Sequence, residues 1–154
     1  MLKDKVCIVT GAASGIGLAI AEMFAAEQAK VVMVDINEAQ LKAHCERLGS
    51  EYVVADLSKR EDCKNVVDVT ARLFEKVDIL VNVAGIQTVS PIEDFPEDKW
   101  DFMINLMLTA PFLLTRYSWP FMKAQKWGRV INLNSIHGLV ASEFKSADVS
   151  AKHG

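Results

Sequence analysis

The chain has 154 residues, 51% of them apolar, and a formal net charge of −3 with acids and bases interspersed. That length and apolar content allow one domain with a buried core and argue against disorder. The charge balance points to neither a nucleic-acid partner nor a membrane surface. Cys7, Cys45 and Cys63 are scattered, with no C-x-x-C. Neither a disulfide frame nor a metal site is indicated, so a reducing, cytoplasmic setting is expected. The first turn arrives within ten residues, too soon for a signal peptide. The apolar stretch from Phe102 to Met122 contains Asn105, Pro111, Arg116 and Pro120, which suits a kinked core helix rather than a membrane span.

A first strand is expected from about Lys5 to Val9, ending at the turn Thr10-Gly-Ala-Ala-Ser-Gly-Ile-Gly17. A helix follows from about Ser14 to Gln28, with Ile16, Ile20, Met23 and Phe24 on one face. Val31 to Val34 form a second apolar run closed by Asp35. Asn37 can cap a helix from Glu38 to Leu48, which Gly49 can close. Tyr52 to Val54 form a third strand that leads into Asp56 and Leu57. Ser58 and Glu61 have capping-box spacing, ahead of a helix with Cys63, Val66, Val67, Thr70 and Phe74 on one face. Strand four, Ile79 to Val81, runs into Asn82-Val83-Ala84-Gly85. A looser stretch to Pro96 precedes a long helix from about Glu97 to Gln125, and strand five spans Val130 to Leu133. Another helix begins near Ala147. Short apolar strands alternating with helices predict an α/β fold, a doubly wound Rossmann-type parallel sheet of about five strands covered on both faces. One domain over residues 1–154 is the simplest reading.

The glycine turn joins a strand to a helix start, where backbone N–H groups and the helix dipole favour a phosphate. Gly11 permits the sharp turn, Gly15 lets a pyrophosphate approach, and Gly17 lets the helix pack on the sheet. Ser14 and Ile16 belong to the same cradle. The spacing is G-x-x-x-G-x-G, without the Lys-Ser/Thr of a P-loop. Asp35, at the end of strand two, can accept from both ribose hydroxyls. No Lys or Arg adjoins it to receive a 2′-phosphate, which favours NAD over NADP. Asp56 and Leu57 end strand three at the same edge, although Asp56 can equally be a helix N-terminal acid.

The ordered set of Thr10–Gly17, Asn82–Gly85, Asn105 and Ser135 resembles the short-chain dehydrogenase/reductase family, whose members transfer hydride between NAD(P) and a carbonyl or alcohol. The resemblance implies that Asn82, Ala84 and Gly85 line the cofactor. It also implies that Asn105, Ser135 and Lys152 are three of four catalytic groups, with Asn105 supporting a water relay, Ser135 bonding the substrate oxygen and Lys152 binding the nicotinamide ribose. Gly85-Ile86-Gln87, Ile92 to Pro96, Lys99 to Asp101, His137 to Ser142 and Lys145 to Gly154 are similar to the branch that interconverts 3-hydroxybutyrate and acetoacetate. There, Gln87, His137 and Lys145 would hold the carboxylate of a small anionic hydroxy or keto acid. As side chains alone they read as a loop amide, a loop histidine and a solvated charge. The resemblance further implies a homo-oligomer joined through the long helix near Asn105 and the helix near Lys152. Leu106, Leu108, Phe112 and Leu113 suit that interface and suit core packing equally.

Two departures from the family pattern stand out. The tyrosine expected four residues before Lys152 is Asp148. A tyrosine of pKa about 10 can be tuned to exchange a proton near neutrality. An aspartate of pKa about 3.9, lowered further by a lysine at i+4, would be a carboxylate with no proton to give. Turnover is therefore expected to be severely reduced. The pattern also implies a further C-terminal part with more strands and a lid, so the domain is expected to be incomplete there and strand five to be an exposed edge. The alternative to an active oxidoreductase is thus an inactive NAD-binding module or fragment.

Overall fold

The computed structural model describes all residues, Met1–Gly154. Five strands form one parallel sheet: β1 (Val6–Thr10), β2 (Lys30–Asp35), β3 (Glu51–Val54), β4 (Ile79–Asn82) and β5 (Arg129–Asn132). Their order is β3-β2-β1-β4-β5. The helices are α1 (Gly15–Ala26), α2 (Glu38–Leu48), α3 (Arg60–Phe74), α4 (Glu97–Ile104), α5 (Ala110–Ala124) and α6 (Ser146–His153). The chain reverses its direction of travel across the sheet between β1 and β4, and the cleft of a doubly wound fold opens at such a switch point.

Alternate residues of each buried strand face opposite layers. Ile8, Val32, Val34 and Leu80 pack under α3 and α5 with Val66, Leu113 and Leu114. Cys7, Val9, Val31, Met33 and Val81 pack under α1 and α2 with Ala21 and Leu41. Burying both faces explains why β1 has no polar position before Thr10. The edge strand β5 is mostly exposed, with Ile131 at 46%. No helix is long and apolar enough to cross a membrane.

The cap of α2 forms as expected: Asn37 accepts the N–H of Gln40, and Gly49 closes the helix with φ +64°. Three local expectations are corrected. On α1, Gly17 and Ala21 are buried, with Ile20 and Phe24 partly so, whereas Ile16 and Met23 are 59% and 65% exposed. The close approach of Gly17 to the turn rotates the contact face toward the small residues. The Ser58/Glu61 capping box does not form, because Lys59 is the N-cap residue and the Ser58 hydroxyl donates to Asp56 Oδ1 instead. The long helix is not continuous. Between α4 and α5 lies a π-helical turn, Asn105–Thr109, in which Ala110 N–H donates to the Asn105 carbonyl. Such insertions rotate the helix before them and often sit beside functional sites.

Candidate active site

Thr10 ends β1 with its side chain buried between two strands. Its hydroxyl donates to the Val81 carbonyl at 3.4 Å and accepts the N–H groups of Val83 and Ala84 at 2.9 and 3.1 Å. The turn after β1 is thereby locked to the segment after β4. Gly11, at φ +65°, lies so close to that segment that an added Cβ would stand 3.0 Å from Ala84 Cα. A Cβ on Gly17 would overlap the Gly11 carbonyl, so helix and turn meet backbone to backbone. Gly15, at φ +55°, has open space where a side chain would be. Ser14 occupies the N-cap position, and its side chain makes no cap bond. The result is a bare rim of backbone at the start of α1, suited to a pyrophosphate.

Asp35 faces this rim. Its Oδ2 accepts the Ala13 N–H at 3.1 Å, and its Oδ1 accepts Ile36 N–H at 2.7 Å and Asn37 N–H at 3.1 Å. Three main-chain donors fix the carboxylate, leaving acceptor capacity for hydroxyls. Beyond it, Asp56 and Leu57 line the same cleft of about 400 Å³, as do Gly11, Ser14, Ile16, Gly17, Ala84 and Gly85. Asp56 also has the structural role open to it: Oδ1 accepts from the Ser58 hydroxyl at 2.6 Å and from its N–H at 3.1 Å. The Ser58 hydroxyl, the Ser58 N–H and Lys59 together hold the Asp56 pKa below the ordinary carboxylate value, against a smaller opposing effect of burial.

At the β4/β5 end, Asn82 Nδ2 donates to Asn132 Oδ1 at 2.8 Å, while Asn82 Oδ1 is buried without a partner. A second cavity of about 370 Å³ opens here and shares Ala84 and Leu133 with the cleft. Lys152 lines it, and its ammonium donates to the Leu133 carbonyl at 3.1 Å. Asn134 bridges two predicted site residues. Its Oδ1 accepts Ser135 N–H at 2.8 Å and its Nδ2 donates to the Lys152 carbonyl at 3.1 Å. Nothing in the spacing announced that bridge, although an Asn directly after a strand is a turn-forming signal. Ser135 is exposed, and its Oγ accepts the His137 N–H at 3.2 Å.

His137 and Lys145 come together, with Nζ 3.2 Å from Nε2, while Ser142 Oγ lies 3.3 Å from Nδ1. Gln87 is exposed and makes no hydrogen bond. Its loop is nonetheless tied to theirs, since Ser90 N–H donates to the carbonyl of Phe144 at 2.9 Å. Asn105 is not brought to either cavity. The π turn instead places Met107 in the second cavity, against Gly85, where an added Cβ would lie 3.2 Å from Met107 Sδ. Asp148 is buried in the first turn of α6 and its carboxylate has no hydrogen-bond or ion-pair partner. The expected i,i+4 pairing with Lys152 is absent, because that ammonium is turned to Leu133.

The short-chain dehydrogenase profile matches residues 5–154. A D-beta-hydroxybutyrate dehydrogenase of Cupriavidus necator is 45% identical over the whole chain and 62% of its own length. One of Rhizobium meliloti is 42% identical over 97% of the chain and 61% of its length. An NAD-dependent glycerol dehydrogenase of Listeria innocua is 35% identical over 98% of the chain and 60% of its length. The chain thus spans about 60% of the length of these relatives. With its switch-point cleft, its three-glycine turn and this match over nearly every residue, the chain belongs to the short-chain dehydrogenase family.

Proposed function

We propose that the cleft binds NAD(H), and that the site beside it is shaped for 3-hydroxybutyrate and acetoacetate, with turnover held low by Asp148. The observation that carries the binding is Asp35, fixed by three backbone N–H groups opposite a turn with no side chains in the way. The residues fit the cofactor: Gly11, Ser14, Gly15, Ile16 and Gly17 would hold the pyrophosphate, and Asp35 the adenosine ribose. Asp56 and Leu57 would flank the base, with Asn82, Ala84, Gly85 and Lys152 near the nicotinamide end. The bound dinucleotide would accept or supply the hydride. Ile36 and Asn37, the residues after Asp35, carry no charge for a 2′-phosphate, which supports NAD over NADP.

Ser135 offers an exposed hydroxyl to a substrate oxygen. Lys145, beside His137, offers an ammonium to a carboxylate, and Gln87 lies on the adjoining loop. The names of the two hydroxybutyrate dehydrogenase relatives support that substrate. Proton exchange with the alcohol falls to position 148, where a short carboxylate replaces a phenol. The unpaired, buried thiols Cys7, Cys45 and Cys63 support a reducing, cytoplasmic setting. The exposed Phe112, which lines the second cavity with Lys152, supports self-association through the start of α5 and through α6.

NADH titration of the purified chain, read by nicotinamide fluorescence, tests the binding. Saturable binding in the micromolar range that weakens about tenfold or more in Asp35→Ala is the expected result. Absence of saturation would sink the reading. Acetoacetate reduction is expected to be very slow and to rise in Asp148→Tyr. A near-normal rate in the unaltered chain would refute the role given to Asp148.

A further inference from the structure

The far end of the sheet from the cleft carries a third, differently built cavity. It is about 490 Å³ and lies between the end of α5 and the start of β5. Lys123, Lys126 and Arg129 line it together with Trp119 and Trp127. None of the three cations has a carboxylate within ion-pair distance. Three unpaired positive charges around one cavity are out of keeping with a net charge of −3. Asp78, whose carbonyl accepts the Arg129 N–H at 3.0 Å, has its carboxylate already shared by Lys5 and Lys76.

The walls are fixed rather than loose. Gln125 Nε2 donates to the carbonyls of Val77 and Trp127, at 3.1 and 2.9 Å. Trp127 N–H donates to Met122 at 3.1 Å, and a Cβ on Gly128 would overlap Met122. Arg129 is held with Cζ 5.0 Å above the Trp127 ring. Lys126 adopts φ +56°, a backbone that side chains seldom take, and this sets it at the cavity between the helix and the strand. Trp119 is 57% exposed, presenting an indole with no partner ring. Cations suit phosphates, and an open indole suits a flat ring.

We propose that this groove binds a planar-ringed polyanion of the nucleoside-polyphosphate class, with the ring on Trp119 and the phosphates on Lys123, Lys126 and Arg129. It would be a nucleotide site separate from the cofactor cleft. ATP titrated into the full chain, read by tryptophan fluorescence, is the test, with Asp35→Ala used to disable the cleft. Saturable ATP binding is expected to persist in Asp35→Ala and to fall about tenfold or more in Lys123→Glu/Lys126→Glu. NADH affinity and the circular dichroism spectrum are expected to be unchanged in the double variant. ATP is expected to bind more tightly than tripolyphosphate, and Trp119→Ala to remove that advantage. Loss of ATP binding in Asp35→Ala alone would place the nucleotide in the cleft and overturn the proposal. Equal affinity for tripolyphosphate would reduce the groove to a general anion patch, and displacement of ATP by polyglutamate at lower concentration would make it a peptide surface. Either result would also overturn it.

Discussion

The hydroxyl of Thr10 accepts the backbone N–H of Ala84 at 3.1 Å, across the switch point of the sheet. The same oxygen takes the Val83 N–H and donates to Val81. One buried side chain therefore sets the distance between the glycine turn after β1 and the segment after β4.

Replacing Thr10 by Val keeps the shape and removes that acceptor. Two part-buried N–H groups lose their partner, so a loss of about 1–3 kcal/mol is expected. Urea unfolding measures it, and NADH affinity is expected to fall with it.

The glycines of the turn are not equivalent. Gly17→Ala drives a Cβ into the Gly11 carbonyl, where backbone cannot yield, and is expected to cost about 3 kcal/mol or more. Gly15→Ala meets no atom and suffers only its left-handed φ, a cost of about 1–2 kcal/mol. Thermal melts of the two variants, run side by side, check the ranking.

Asp78 carries a pH dependence. Burial pushes its carboxyl up, but the Val6 N–H at 2.8 Å and the ammonium groups of Lys76 and Lys5 outweigh that and hold its pKa below the ordinary carboxylate value. A lowered folded pKa stabilises above the unfolded value of about 3.9, and the gain is lost as pH falls through the folded pKa. Asp78→Asn is expected to cost about 1–3 kcal/mol at pH 7 and to flatten the decline of stability below pH 4. Denaturant midpoints from pH 7 to pH 2.5 read both effects.

The thiols are predicted to be silent in the native protein. Burial pushes Cys7 up to about 12, with Asp78 adding to it, and raises Cys45 and Cys63 to about 11. A disulfide reagent at pH 8 is expected to label none of them within minutes, and all three after unfolding in guanidinium. Rapid native labelling would contradict the burial.

Much of this is legible in the amino-acid sequence. The alternation of apolar runs with helical patterns, the Asn37 and Gly49 caps and the placing of Gly11, Gly15 and Asp35 all depend on near neighbours and on φ preferences. Those are properties a linear chain displays. The departure on α1 has a tertiary cause. Ile16 and Met23 have the right period for a core face, yet the backbone contact of Gly17 turns them outward. The π turn that starts at Asn105 likewise brings Met107 to the second cavity, a placement that no local pattern announces.

By itself, then, the sequence determined the order of elements, the glycine turn after β1, the carboxylate of Asp35 at the end of β2 and the presence of Asp148 four residues before Lys152. Only the tertiary structure decided which groups meet. Thr10 with Ala84, Asp78 with Val6 and Asn82 with Asn132 are joined across 74, 72 and 50 residues. Asn134 as the link between Ser135 and Lys152, and the basic groove around Trp119, were settled by the same packing. The reason is physical: periodicity and turn chemistry act over a few residues, whereas a site is closed by strand register and layer packing.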